Sequence, residues 1–128
     1  MGKTKLRPGI TVGFRAGCVR VGKDVIRALN EPEYISIMKN NEKKSLLIIP
    51  CGEHDQLSFS VPNNLLKDCN KAFRIYSLQF TNEFRAEGGF YSDNYVRLQG
   101  YYDEKMACVV FPFGEEKDSF SIISKEMK

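Results

Sequence analysis

The feature that most constrains this chain is an internal likeness between its two halves. The run Tyr34-Ile-Ser-Ile, then Leu-Leu-Ile-Ile-Pro50-Cys-Gly-Glu53, returns as Tyr95-Val-Arg-Leu, then Cys-Val-Val-Phe-Pro112-Phe-Gly-Glu115. Farther on, Leu57-Ser-Phe-Ser-Val61 returns as Asp118-Ser-Phe-Ser-Ile122. The offset is 61 residues at Tyr34/Tyr95, 62 at Pro50/Pro112 and 61 again at Phe59/Phe120, so one insertion and one deletion reconcile the copies. Two unrelated hairpins are the alternative, but matches that recur in order favour duplication. Each copy reads as a small, strand-rich unit.

Each copy is predicted from its local pattern. In the first, strands over 10–14 and 18–21 precede a short helix over 23–29, in which Val25, Ile26 and Leu29 share a face. Asp24 suits the first turn, Asn30 the stop, and Pro32 blocks extension. A hairpin of 34–38 and 45–49 follows across the polar turn 39–42, then an extra strand at 57–61. Pro62-Asn-Asn64 is the expected linker, with a single helical turn at 65–69 behind Asn64. The second copy keeps strands at 73–80, 95–101, 107–113 and 120–123. Its helix is expected to be lost, since Gly88-Gly89 makes a poor helix interior. The prediction is a mainly β fold with one short helix. It takes the form of a pseudo-duplicated small β-barrel of two ββαββ-like halves, 1–62 and 63–128, within one compact domain.

Charge is uneven along the chain. Residues 1–30 hold seven basic side chains against the single acid Asp24, whereas the other 98 carry 12 bases and 15 acids. A basic leader on a mildly acidic body is an electrostatic footprint for phosphate, and equally describes a solvated basic surface. Six tyrosines and nine phenylalanines, with no tryptophan, concentrate in the second half. Phe90-Tyr91 beside the glycine pair and Tyr101-Tyr102 at a hairpin tip are expected to be exposed, with Arg97 nearby. Such groups suit contact with another protein, and they also stack on single-stranded bases.

Several chemistries find no support. The one histidine, His54, has no counterpart in the second copy, and Cys51 and Cys108 exchange with Phe113 and Leu46, as core residues do. With no CxxC, no calcium-loop spacing among Glu53, Asp55, Glu115, Glu116 and Asp118, and no glycine-rich phosphate loop, neither a catalytic site nor a metal or cofactor is expected. No apolar run is long enough to span a bilayer and none follows the basic N-terminus, so a cytoplasmic protein without a membrane partner is expected.

Gly17-Cys-Val-Arg-Val-Gly-Lys-Asp-Val-Ile-Arg-Ala-Leu29, followed by Tyr34-Ile-Ser-Ile-Met38 and Lys44-Ser-Leu-Leu-Ile-Ile-Pro50, resembles the SpoVT–AbrB swapped-hairpin barrel family, and two copies in one chain resemble the MraZ-type arrangement. The resemblance covers about residues 10–51. Val21-Gly22 stands where the family's helix usually opens with Ile-Pro. It implies a bacterial or phage transcription regulator that binds duplex DNA, with possible pairing into a homodimer. Carried over, the contacts would be Arg15, Arg20, Lys23 and Arg27 around the first hairpin and helix, with Lys3, Lys5 and Arg7 as a basic arm. Arginine binds phosphate and guanine edges bidentately, which suits that role, although an ion pair of Arg20 or Arg27 with Asp24 or Glu31 is the competing assignment. The other function class is a small phage or mobile-element inhibitor. It would hold a host protein through Phe90, Tyr91, Tyr101, Tyr102, Arg97 and the acidic loops.

Overall fold

The computed structural model describes residues 6–40, 42–53, 58–69 and 71–113. In chain order the elements are β1 (Gly9–Gly13), β2 (Cys18–Val21), α1 (Lys23–Ala28), β3 (Tyr34–Asn40), β4 (Ser45–Pro50), β5 (Phe59–Ser60), β6 (Phe73–Tyr76), α2 (Leu78–Gly88), β7 (Tyr95–Gln99), β8 (Tyr101–Asp103) and β9 (Cys108–Pro112). The fold is mainly β, as expected. The strands lie in two antiparallel sheets, ordered β6-β2-β1-β7 and β5-β3-β4-β9-β8. Each sheet draws strands from both halves of the chain.

Alternation of side chains builds the core between the sheets. Ile10 and Val12, Val19 and Val21, Phe73 and Ile75, and Leu98 point inward from the four-stranded sheet. Ile35, Ile37, Leu46, Ile48, Val109 and Phe111 meet them from the other. A cluster of Phe14, Phe84, Phe90 and Phe113 closes one end, with Phe84 and Phe113 edge to face at 4.8 Å.

α1 forms where its apolar face predicts, with Val25 and Ile26 buried. It stops as Asn30 and Glu31 enter left-handed backbone at φ 64° and 54°. The second helix departs from expectation: Leu78–Gly88 is not the end of a strand and a decayed helix but an 11-residue α-helix, longer than the first. Ser77 caps its start by accepting from the Phe80 N–H. Gly88-Gly89 is its terminus rather than its interior. Gly89 adopts φ 72°, the Gly89 N–H reaches the Ala86 carbonyl, and the Phe90 N–H reaches that of Arg85.

A second correction concerns residues 95–101, expected as one strand. The strand breaks at Gly100: β7 pairs with β1 in one sheet, and β8 pairs with β9 in the other. A Cβ at Gly100 would lie 2.6 Å from both the Val110 carbonyl oxygen and the Phe111 ring. The missing side chain lets the strand turn this corner against β9, and the Gly100 N–H is anchored on the Pro8 carbonyl at 2.9 Å. The hairpins β3–β4 and β8–β9 meet along β4 and β9. The two turns use the same chemistry. An Asx side chain, Asn40 or Asp103, accepts a turn N–H, and a left-handed residue, Lys44 or Ala107, opens the second strand. The strand predicted at 120–123, His54, Asp55, Leu57 and the acids beyond 113 lie outside the described residues.

Candidate nucleic-acid interface

The outer face of the four-stranded sheet carries a pattern that neither half shows alone. Register aligns Arg74 of β6 with Arg20 of β2, Arg20 with Thr11 of β1, and Thr11 with Arg97 of β7. Directly paired residues point to the same side of a sheet, so one row reads Arg74, Arg20, Thr11, Arg97. The next outward row reads Tyr76, Cys18, Gly13, Tyr95. Inward residues alternate with these and are buried, apart from the half-buried Val96, which fixes the orientation of both rows.

The arginines are exposed, and none of the four strands contains an acid. Among the described residues, the three ion pairs are Arg27–Asp24, Lys39–Glu83 and Lys39–Glu87, so no carboxylate neutralises the row. Tyr76 and Tyr95 are 67% and 58% exposed at opposite edges, with Gly13, which has no side chain, and the small Cys18 between them. Arg15 is exposed in the turn joining β1 to β2, at the tyrosine end of the sheet. The surface is thus cationic along one line and aromatic along the next.

Of the residues expected to touch DNA, Arg15 and Arg20 belong to this region. Lys23 and Arg27 do not join them. The Lys23 ammonium donates to the Asp68 carbonyl at 2.6 Å, tying α1 to the 62–69 segment. Arg27 pairs with Asp24 at 2.8 Å, the competing assignment. The Arg7 backbone N–H donates to the same carboxylate at 3.0 Å. That N–H and the Arg27 guanidinium hold the Asp24 carboxyl below its ordinary range, against a smaller opposing effect of burial. Lys3 and Lys5 lie outside the described residues.

From the protein-binding set, Tyr91, Arg97, Tyr101 and Tyr102 are exposed, but Phe90 is not, at 8%. The left-handed Gly89 turns the chain back so that Phe90 packs on Phe84, 5.3 Å between ring centres. Arg85 then fastens this loop by donating to the carbonyls of Phe90, Tyr91 and Asp93, with its guanidinium over the Phe14 ring. Tyr101 and Tyr102 occupy the edge strand β8 rather than a hairpin tip.

Sequence reasoning missed Arg74, Tyr76 and Tyr95. The signal was local: in Phe73-Arg-Ile-Tyr76 and Tyr95-Val-Arg-Leu98 the polar and aromatic residues alternate with buried ones. What no local pattern supplies is that these strands flank β1 and β2.

A cleft of about 460 Å³ opens elsewhere, lined by Ile37, Met38, Phe59, Ile75 and Phe80. Lys39 bridges Glu83 and Glu87 of α2 at 3.2 and 3.0 Å beside it. Hydrogen bonding from Gln79, then from Lys39, holds the Glu83 carboxyl below its usual range. Burial, with Asp103 adding, pushes the Cys108 thiol upward, which disfavours the thiolate a nucleophile needs. Among the described residues no group of three His, Cys, Asp or Glu side chains is placed to hold a metal, and no helix is long and apolar enough to cross a membrane. Comparison with protein-family models, curated proteins and solved structures finds no match to this chain.

Proposed function

We propose that this protein is a non-enzymatic DNA-binding regulator that engages the phosphate backbone through the outer face of its four-stranded sheet. The observation that carries this reading is the row Arg74, Arg20, Thr11, Arg97 on a face whose strands hold no acid. Three guanidinium groups that make no ion pair among the described residues, held at fixed cross-strand spacing, suit a polyanion, because each binds phosphate through two parallel hydrogen bonds. The basic leader adds sequence-independent attraction. The ββαββ order over β1 to β4 is the order of the half-barrel unit that the sequence resembles, which adds support.

Fluorescence anisotropy with labelled DNA, titrated at several salt concentrations, tests this. Three phosphate contacts give a slope of log affinity on log salt of about −2 to −3. Arg20→Ala combined with Arg97→Ala is expected to weaken binding and flatten that slope. Unchanged binding in the double variant removes this face from consideration.

A second reading rests on a different surface. Tyr101, Tyr102 and Met106 are exposed on and beside the edge strand β8. Aromatic side chains on a strand that is the edge of its sheet among the described residues suit docking of another protein. Tyr101→Ala with Tyr102→Ala would abolish capture of such a partner and leave DNA binding intact.

A further inference from the structure

We infer that the strand bound on this face is unpaired: the site takes single-stranded DNA, with Tyr76 and Tyr95 stacking on bases while Arg20, Arg74 and Arg97 hold phosphates. The inference rests on the proposed function and deepens it. Its first support is width. A B-form major groove is roughly 12 Å across and admits a helix or a two-stranded ribbon. Four strands span three gaps of roughly 4.8 Å, about 14 Å before any side chain is added, so this face cannot enter the groove. α1 offers no substitute, having six residues and its Arg27 paired with Asp24.

The second support is the aromatic row. Base faces are covered by their neighbours inside a duplex, so an exposed tyrosine ring finds a stacking partner only where bases are unpaired. Tyr76 and Tyr95 are among the most exposed large side chains of the protein, and they lie one row from the arginines. Gly13 and Cys18 keep the floor between them low. A chain crossing the sheet therefore meets cations along one line and aromatic faces along the next, which is the pairing of phosphate groove and stacking platform that unpaired strands require.

The test compares an oligothymidylate of roughly 12 nucleotides, the oligouridylate of equal length and a blunt duplex by anisotropy at about 50 mM salt. The expected result is tightest binding of the oligothymidylate. Tyr76→Leu with Tyr95→Leu should cost roughly tenfold or more on that probe and leave duplex binding unchanged, while Tyr→Phe at both positions retains it. Because the chain has no tryptophan, its tyrosine emission is directly readable, and stacking should quench it in the wild type. Tighter binding of the duplex, or indifference to the Tyr→Leu pair, overturns the inference while sparing the wider function. Tighter binding of the oligouridylate overturns the assignment to DNA. No binding of any probe at low salt ends both.

Discussion

Arg20 and Arg74 face each other directly across β2 and β6. Like charges in that position destabilise a sheet, and an opposite pair stabilises it. Arg74→Glu is therefore expected to raise stability by up to about 1 kcal/mol, seen as a higher urea midpoint, while weakening nucleic-acid binding. Opposite signs in the two assays would show that the arginine pair serves a ligand at the expense of the fold. A loss of stability would refute that view. Asp24 behaves in the contrary way, because its partners stabilise the native state. Its folded pKa is depressed, first by the Arg7 backbone N–H and then by Arg27. That contribution is complete above the ordinary aspartate range and fades as pH falls through the lower folded value. Asp24→Asn should thus be less stable than wild type at pH 7, with the gap closing below about pH 4. A gap that widens on acidification would contradict it.

At the scale of elements, α2 shows how the end of a helix is specified. Gly89 sits at φ 72°, and nothing approaches the place of a Cβ within 4 Å, so Gly89→Ala suffers from backbone conformation alone. The expected cost is about 1–2 kcal/mol in urea denaturation. Phe84 is wholly buried and meets Phe14, Phe80, Phe90 and Phe113, so Phe84→Ala should cost about 3–5 kcal/mol. These sites also explain what was legible in the sequence. β2 and α1 could be placed from alternation and from Val25, Ile26 and Leu29, because burial there follows the local period. α2 could not: it buries only Thr81 and Phe84, and its glycine pair looks the same as interior or cap until the left-handed turn is seen. Arg20 stood out in a basic segment, but its partners Arg74 and Arg97 sit in the other half, and β-pairing at that separation leaves no local mark. Phe90 was misjudged for the same reason, since its burial depends on the direction the chain takes after Gly89.

At the scale of the molecule, neither half is complete alone. The first contributes β1 and β2 to one sheet and β3, β4 and β5 to the other, and each group needs partners from the second half on a long edge. Without residues 63–128, β1 loses β7, β2 loses β6 and β4 loses β9. Phe84, Phe90, Phe111 and Phe113 would leave the core together, exposing Ile10, Val12, Val19 and Ile48. An isolated two-stranded ribbon is at best marginally stable in water, and here the fragment would hold one such ribbon and a thin three-stranded sheet around a core stripped of those four rings. Fragments 1–62 and 63–128, made separately, are therefore expected to give collapsed amide dispersion in two-dimensional NMR. Mixed together, they should regain dispersed spectra in proportion to complex formed. The nucleic-acid face should return only in the mixture, because its cationic row takes Arg20 from one half and Arg74 and Arg97 from the other. If 1–62 alone folded and bound DNA with the affinity of the intact chain, the shared-sheet architecture and the composite site would both be wrong.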